Sequence, residues 1–365
     1  MNQPADNAAV EIVQAPDSPA MDALCDRLQT LADQTDRSGE WPAAQLQLCA
    51  AAGVFRWFMP TTAGGFGWSD ADQTRGYLRL AAADLTTTFI ITQRMGACRR
   101  IEGCENEALQ KRWLPPLLDG SQFATVGISH LTTSRRHLST PVLRAEAVGD
   151  GYRLSGYSPW VTGGAHADVI VVGATLDDGR QLLAAVPTDR PGVLAAAGIP
   201  LVALSASATD RVDLQDVAIG PDDLIAGPIE DVMSQGVGAG TGGLQTSTLA
   251  IGLSKAAVDF LTAEAQQREA LLPVAEQLQT EVRNLEVDLL SVASGNQVCS
   301  TSDLRGRANR LALRASQAAL TAAKGAGFVQ GHPAGRWCRE ALFFLVWSCP
   351  QPIANAHLCE LAGIE

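Results

Sequence analysis

The chain has 365 residues, more than one hydrophobic core usually serves, so two or three domains are expected, and its 46% hydrophobic content can fill them. Its 27 basic and 39 acidic residues give a formal net charge of −12, which argues against nucleic acid or an anionic membrane as the main partner. The eight cysteines form no CxxC pair and no His-linked spacing, which argues against a metal site and for buried reduced thiols.

The first residues, to about Pro16, read as a loose polar leader, and Asp17-Ser18-Pro19 reads as a helix start. From there to about Leu118 apolar residues recur at helical spacing, most clearly over Met21 to Asp36 and Gln73 to Ala97. A proline and several glycines interrupt the helices between Phe55 and Asp72. From Gln122 to about Pro228 the texture changes to short β-type segments at intervals that suggest a small sandwich or barrel, with a hairpin turn at Asp177-Asp178-Gly179. Long alanine- and leucine-rich helices follow Gly240, enough for a bundle of about four. The fold class is therefore α+β: an N-terminal helical domain (1–121), a middle β-barrel or sandwich (122–230) and a C-terminal four-helix bundle (231–365). No apolar run reaches the length of a membrane span, and the reading is a soluble, cytoplasmic protein.

Within the β-rich part, Gly151 to Ala174 carries an aromatic plane, Trp160, a hydroxyl two residues on, Thr162, and a tight Gly163-Gly164 turn. These features suit a flat ligand with a polar edge. They also describe an ordinary hairpin with a core tryptophan.

GDGYRLSGYSPWVTGGAHAD, Gly149 to Asp168, resembles without a gap the GDGYxLNGxKxWITNGxxAD pattern of the acyl-CoA dehydrogenase superfamily. Three further stretches resemble that family: Pro60, Gly64, Gly65, Gly67 and Ser69 in a glycine-rich loop, Glu105 to Ser129, and Lys324 to Ala341. The resemblance implies a flavoprotein oxidoreductase that binds FAD, with FMN or free reduced flavin as the alternative. By the same resemblance Trp160 lies against the flavin ring, Thr162 bonds N5, and Ile128 and Ser129 fall on flavin-facing positions. Arg268, Gly325 and Gly327 fall where the family meets the FAD pyrophosphate of a neighbouring subunit, and Gln279 is a spacing match on the adenosine side. A homodimer or homotetramer and a small-molecule substrate, an acyl-CoA or a relative of one, are implied with them.

The departures concern the chemistry. His130 and Leu131 replace an acidic residue and a proline of the family, and Thr132 to Arg136 reads TTSRR, followed by His137, where the family places acyl-thioester contacts. The carboxylate that removes the substrate's α-proton has two known positions in the family; here they hold Ser348 and about Gly242. Serine without an activator is too weak a base for that step. Three readings stand: a dehydrogenase acting on CH-CH groups with its base elsewhere, His130 being the candidate; a flavin-dependent monooxygenase using reduced flavin and O2; and a non-catalytic binding protein.

Overall fold

Ser18 opens the first helix with its hydroxyl accepting from the Met21 amide, and Gly39, at φ 66°, closes it by donating to the Thr35 carbonyl. The computed structural model describes residues 10–132, 141–234 and 243–364. Helix α1 (Pro19–Ser38) buries Met21, Leu24, Leu28 and Ala32, one stripe at three- and four-residue spacing. Two helices follow, α2 (Ala43–Ala51) and α3 (Asp70–Ala83).

The periodicity of Gln73 to Ala97 is shared by two helices rather than one. Asp84 takes an extended conformation (φ −152°, ψ 99°), and its carboxylate accepts from the Thr87 amide at 3.0 Å and the Thr87 hydroxyl at 2.7 Å. That cap ends α3 and starts α4 (Leu85–Glu102). The run LTTTFIIT is β-branched, yet α4 is helical because it is buried on all sides. Its threonines are satisfied inside the helix: Thr88 donates to the Asp84 carbonyl and Thr92 to that of Phe89. Helix α5 (Glu107–Asp119) ends at Gly120, φ 82°.

The chain then enters one eight-stranded sheet. Strand β1 (Ala124–Gly127) runs into a single helical turn, α6 (Ser129–Thr132). The remaining strands are β2 (Leu143–Val148), β3 (Gly151–Val161), β4 (Val169–Thr175), β5 (Gln181–Pro187), β6 (Val193–Ala195), β7 (Asp210–Ile219) and β8 (Leu224–Ile229). Their order is β6-β7-β3-β2-β4-β5-β8, with β1 parallel to β4. Alternation decides the faces. In β4, Val169 and Val171 join the helices' core, while Ile170, Val172 and Ala174 meet side chains of β2, β3, β5 and β7 in a second core. The sheet thus curls around its own apolar face, as a barrel-like unit.

Five helices follow among the described residues: α7 (Leu244–Ala265), α8 (Leu272–Ala293), α9 (Thr301–Gly327), α10 (Pro333–Phe343) and α11 (Gln351–Ala362). Helices α7, α8 and α9 pack together, and α7 also lies on α3. Gly252 permits that approach, since a β-carbon there would stand 2.7 Å from both Ala81 Cβ and the Leu78 carbonyl oxygen. The main core therefore joins the N-terminal helices, the C-terminal helices and one face of the sheet. Near its end α9 breaks at Lys324, whose φ of 54° and ψ of −145° belong to a region that favours glycine. Among the described residues, no helix is long and apolar enough to cross a membrane and no cluster of three metal-ligating side chains occurs.

Candidate active site

A cavity of about 620 Å³ opens where α4, the sheet and α10 meet. Its sheet side is shaped by a bulge. Ser158 pairs with Val212 and Val161 with Asp210, so three steps along β3 match two along β7. The extra residue falls at Pro159-Trp160, and Trp160, 50% exposed, is turned out of the sheet to line the cavity. Immediately after the strand, Gly163 takes φ 63° with its amide bonded to the Ser207 carbonyl; a β-carbon there would lie 2.5 Å from the Trp41 ring. Only glycine fits that turn.

Thr162, held by this turn, lines the cavity and is 3% exposed. Its hydroxyl lies 3.0 Å from that of Thr209, which lies 2.8 Å from Ser207 Oγ, and all three residues line the cavity. Ile128 and Ser129 line it too, and the Ser129 hydroxyl is buried with no hydrogen-bond partner among the described residues. A buried unpaired hydroxyl on a cavity wall is a site where a ligand's polar atom offsets a desolvation cost.

Helix α4 contributes one face along its length: Phe89, Thr92, Gln93, Gly96, Arg99 and Arg100. Arg99 donates to the Gln73 side-chain carbonyl and covers the Phe58 ring at 5.8 Å. Arg100 is 3% exposed and donates to the Gly96 carbonyl at 2.8 Å; burial lowers its pKa to about 10, which still leaves it charged at neutral pH. On the third side Phe343 and Trp347 stack at 5.0 Å, with Phe89 edge-on to both, and Ser348 follows at φ 44°.

Arg339 also lines the cavity, with its guanidinium tied to both oxygens of Asp36 at 2.9 and 2.6 Å. Beside it, Arg336 bonds Asp33 at 2.9 Å and Glu340 at 3.1 Å, which fastens α10 to α1. Burial works to lower the Arg336 pKa, but the charges of Glu340 and Asp33 outweigh it and raise it. Glu340 is buried in this pair and does not line the cavity.

Ile128, Ser129, Trp160, Thr162 and Ser348 are thus brought to one cavity. His130 is not among its walls: its Nε2 lies 2.7 Å from the Gly173 carbonyl oxygen, which fixes that nitrogen as the donor, and burial lowers its pKa. As the candidate base, His130 is thus held against the sheet backbone rather than on the cavity wall. Arg268, Gln279, Gly325 and Gly327 stand away from the cavity. Arg268 is paired with Glu264 and donates to the Ala322 carbonyl at 2.6 Å, tying α7 to α9; Gly325 is exposed. Gly242 and the stretch from Thr133 through Arg136 to His137 lie outside the described residues.

Sequence reasoning missed Arg99, Arg100, Gln93, Gln245, Thr246, Ser207 and Thr209. A detectable signal existed for two of them, because adjacent arginines in an otherwise apolar, buried helix need a reason.

Helices, a curled sheet and helices meeting at one cavity define the architecture of the acyl-CoA dehydrogenase fold, which this chain shares. The sequence model of the acyl-CoA dehydrogenase N-terminal domain matches residues 18–121. A probable acyl-CoA dehydrogenase of Bacillus subtilis (strain 168), YngJ, is 24% identical over 245 residues, covering 65% of this chain and 64% of the relative. A 3-sulfinopropanoyl-CoA desulfinase of Paraburkholderia xenovorans (strain LB400) is 24% identical over 345 residues, 86% of each chain. The first of these relatives, like the isovaleryl-CoA dehydrogenase of Pongo abelii at 61%, is spanned over less than two thirds of its length. Among solved structures, the glutaryl-coenzyme A dehydrogenase glutaryl-CoA complex aligns with a TM-score of 0.79 at 17% identity, over 95% of this chain and 96% of that one. FMN-bound TdsC, a dibenzothiophene monooxygenase of Paenibacillus sp. A11-2, aligns at 0.77 and 16% identity, over 92% and 94%.

Proposed function

We propose that this chain is a flavin-dependent oxidoreductase that oxidises its substrate without removing a proton from carbon, as a monooxygenase using reduced flavin and O2 does. The observation that supports this is Ser348. It lines the cavity where the resemblance places the proton-abstracting glutamate, and no described lining residue is an aspartate, glutamate or histidine. An α-carbon acid is out of reach of a hydroxyl with no base beside it. The likeness to a dibenzothiophene monooxygenase is compatible with this reading.

The cavity fits the flavin ring by three features: the exposed Trp160 indole offers a flat apolar surface, the Thr162 hydroxyl a donor, and the unpaired Ser129 hydroxyl a second polar contact. When bound, reduced flavin supplies the reaction with oxygen; the protein orients the ring, covers it and keeps water from it. We propose Arg268, Gln279, Gly325 and Gly327 as contacts to the nucleotide part of FAD, completed by a second copy in a homodimer or homotetramer, with FMN as the alternative cofactor. We place the domain limits at 121 and 230 and the protein in the cytoplasm.

Dehydrogenation of a CH-CH group in an acyl-CoA is the second reading, favoured by the likeness to YngJ and glutaryl-coenzyme A dehydrogenase. Anaerobic addition of a set of acyl-CoA thioesters to the flavin-loaded protein separates the two. Flavin colour that persists with every thioester is the expected result. Bleaching by any of them establishes dehydrogenation and rejects our reading.

A further inference from the structure

Three arginines line the cavity and, among the described residues, no carboxylate does. The two internal stretches outside the described residues, 133–140 and 235–242, contain no aspartate or glutamate in their sequence. A cationic lining in a chain of net charge −12 runs against the balance of the whole protein. Charge placed inside a fold against that balance has a local purpose or a local cost.

The three cations differ. Arg339 is neutralised by the two oxygens of Asp36. Arg99 has no carboxylate within ion-pair distance among the described residues; its bond goes to the neutral Gln73 amide and its plane to the Phe58 ring. Arg100, next on the helix, is more deeply buried and donates to the Gly96 carbonyl. Both guanidinium groups stand on α4, whereas Trp160, Thr162 and Ser129 belong to the sheet side. The same α4 face begins at Phe89, which with Phe343 and Trp347 forms an aromatic wall suited to a carbon chain.

We propose that Arg99 and Arg100 form a subsite for the anionic end of the substrate, an acyl group that terminates in a carboxylate or a similar oxyanion. A guanidinium fork bonds two oxygens of a carboxylate at once; Arg99 offers that fork to a chain lying along the aromatic wall, and the neighbouring charge of Arg100 adds to the attraction. The inference rests on our reading of this cavity as the place where flavin and substrate meet. The other source of anionic oxygens is the flavin phosphate, which the resemblance places near Arg268, Gly325 and Gly327, none of them a cavity wall.

The test compares glutaryl-CoA with pentanoyl-CoA, which have the same acyl length and differ in a terminal carboxylate against a methyl group. Affinities are measured by calorimetry on the purified protein, with and without bound FMN, for wild type, Arg99→Gln and Arg99→Lys. Glutaryl-CoA is expected to bind roughly tenfold tighter than pentanoyl-CoA, the gain of one charge-assisted contact. Arg99→Gln should remove that preference, Arg99→Lys should keep part of it, and FMN affinity should stay unchanged in both. Equal affinities in the wild type, no binding of either thioester, or a preference that survives Arg99→Gln would each overturn the subsite. A loss of FMN binding in Arg99→Gln, with the thioester ratio intact, would assign the cation to the flavin phosphate instead. Flavin absorbance of the same samples reports separately on the cofactor: selectivity without retained flavin would reject the flavin reading and leave the subsite standing.

Discussion

The Thr162 and Thr209 hydroxyls lie 3.0 Å apart, so the group that faces the cavity is already engaged with a buried neighbour. A hydroxyl has one proton to give. Thr162 can therefore donate to a ligand only while accepting from Thr209, which in that state accepts from Ser207. Thr209→Val keeps the shape of the side chain and removes this support. The variant should fold with a loss of about 1 kcal/mol, and the reduction potential of bound flavin should become more negative. A spectroelectrochemical titration reads the shift; a potential equal to wild type would show that Thr162 acts without the chain.

Ser348 offers the most direct test of the missing base. Ser348→Glu places a carboxylate on the cavity wall, beside Trp347. The variant, loaded with flavin, should be bleached anaerobically by an acyl-CoA thioester that leaves the wild type unchanged. If the variant stays oxidised with every thioester tried, Ser348 does not mark the base position.

His130 makes a pH-dependent contribution to stability. Burial lowers its pKa below the ordinary 6.5, so between the folded and unfolded values the unfolded chain binds more protons. Its contribution is complete above pH 6.5 and is lost as pH falls below that value. Urea midpoints measured from pH 5 to 7.5 should decline toward acid more steeply for wild type than for His130→Gln. Flavin chemistry should be the same in both, because His130 stands outside the cavity; an altered rate in the variant would reopen its role.

Arg336 bridges Asp33 on α1 and Glu340 on its own helix while only 4% exposed. Arg336→Met leaves two carboxylates without their cation in a buried setting, and unfolding stability should drop by about 3–5 kcal/mol. The double variant Arg336→Met/Glu340→Leu should recover much of that loss. Recovery absent from denaturant titrations would mean that the packing of Arg336, and not its charge, holds α10 in place.

Arg268 separates the two cofactors. Its present partners, Glu264 and the Ala322 carbonyl, make it a tie between α7 and α9. Arg268→Ala should lower the affinity for FAD by roughly tenfold if the side chain also grips a pyrophosphate, and should leave FMN affinity unchanged. Equal effects on FAD and FMN would reduce Arg268 to a structural tie.

How much of this was legible follows from how local each feature is. Trp160 sits at the end of β3 and Thr162 just past it, next to a glycine turn, so a linear pattern brought both into view. Ser348 could be counted from Arg339 along one connected segment, and both reach the cavity. The Asp84 break was hidden because apolar spacing continues across it and only the cap's hydrogen bonds divide the helix. Thr209, Arg99 and Arg100 depend on how β7 and α4 pack, which no linear spacing encodes. Residue type alone named His130 as a base, while its orientation is decided by a carbonyl 43 residues away in the chain, which no linear reading reveals.

The cavity walls come from distant parts of the chain: α4, the strands around Trp160, and the segment from Arg339 to Ser348. A nascent polypeptide that has reached Thr209 already holds the tryptophan, the threonines and the α4 arginines, yet its pocket stays open to water on the side that Phe343 and Trp347 will occupy. The full set of cavity walls therefore exists only once the chain has been made as far as Ser348. A chain released by a premature stop before α10 would present an aromatic and cationic half-site as an exposed, sticky surface, a matter for chaperones and proteases rather than for catalysis.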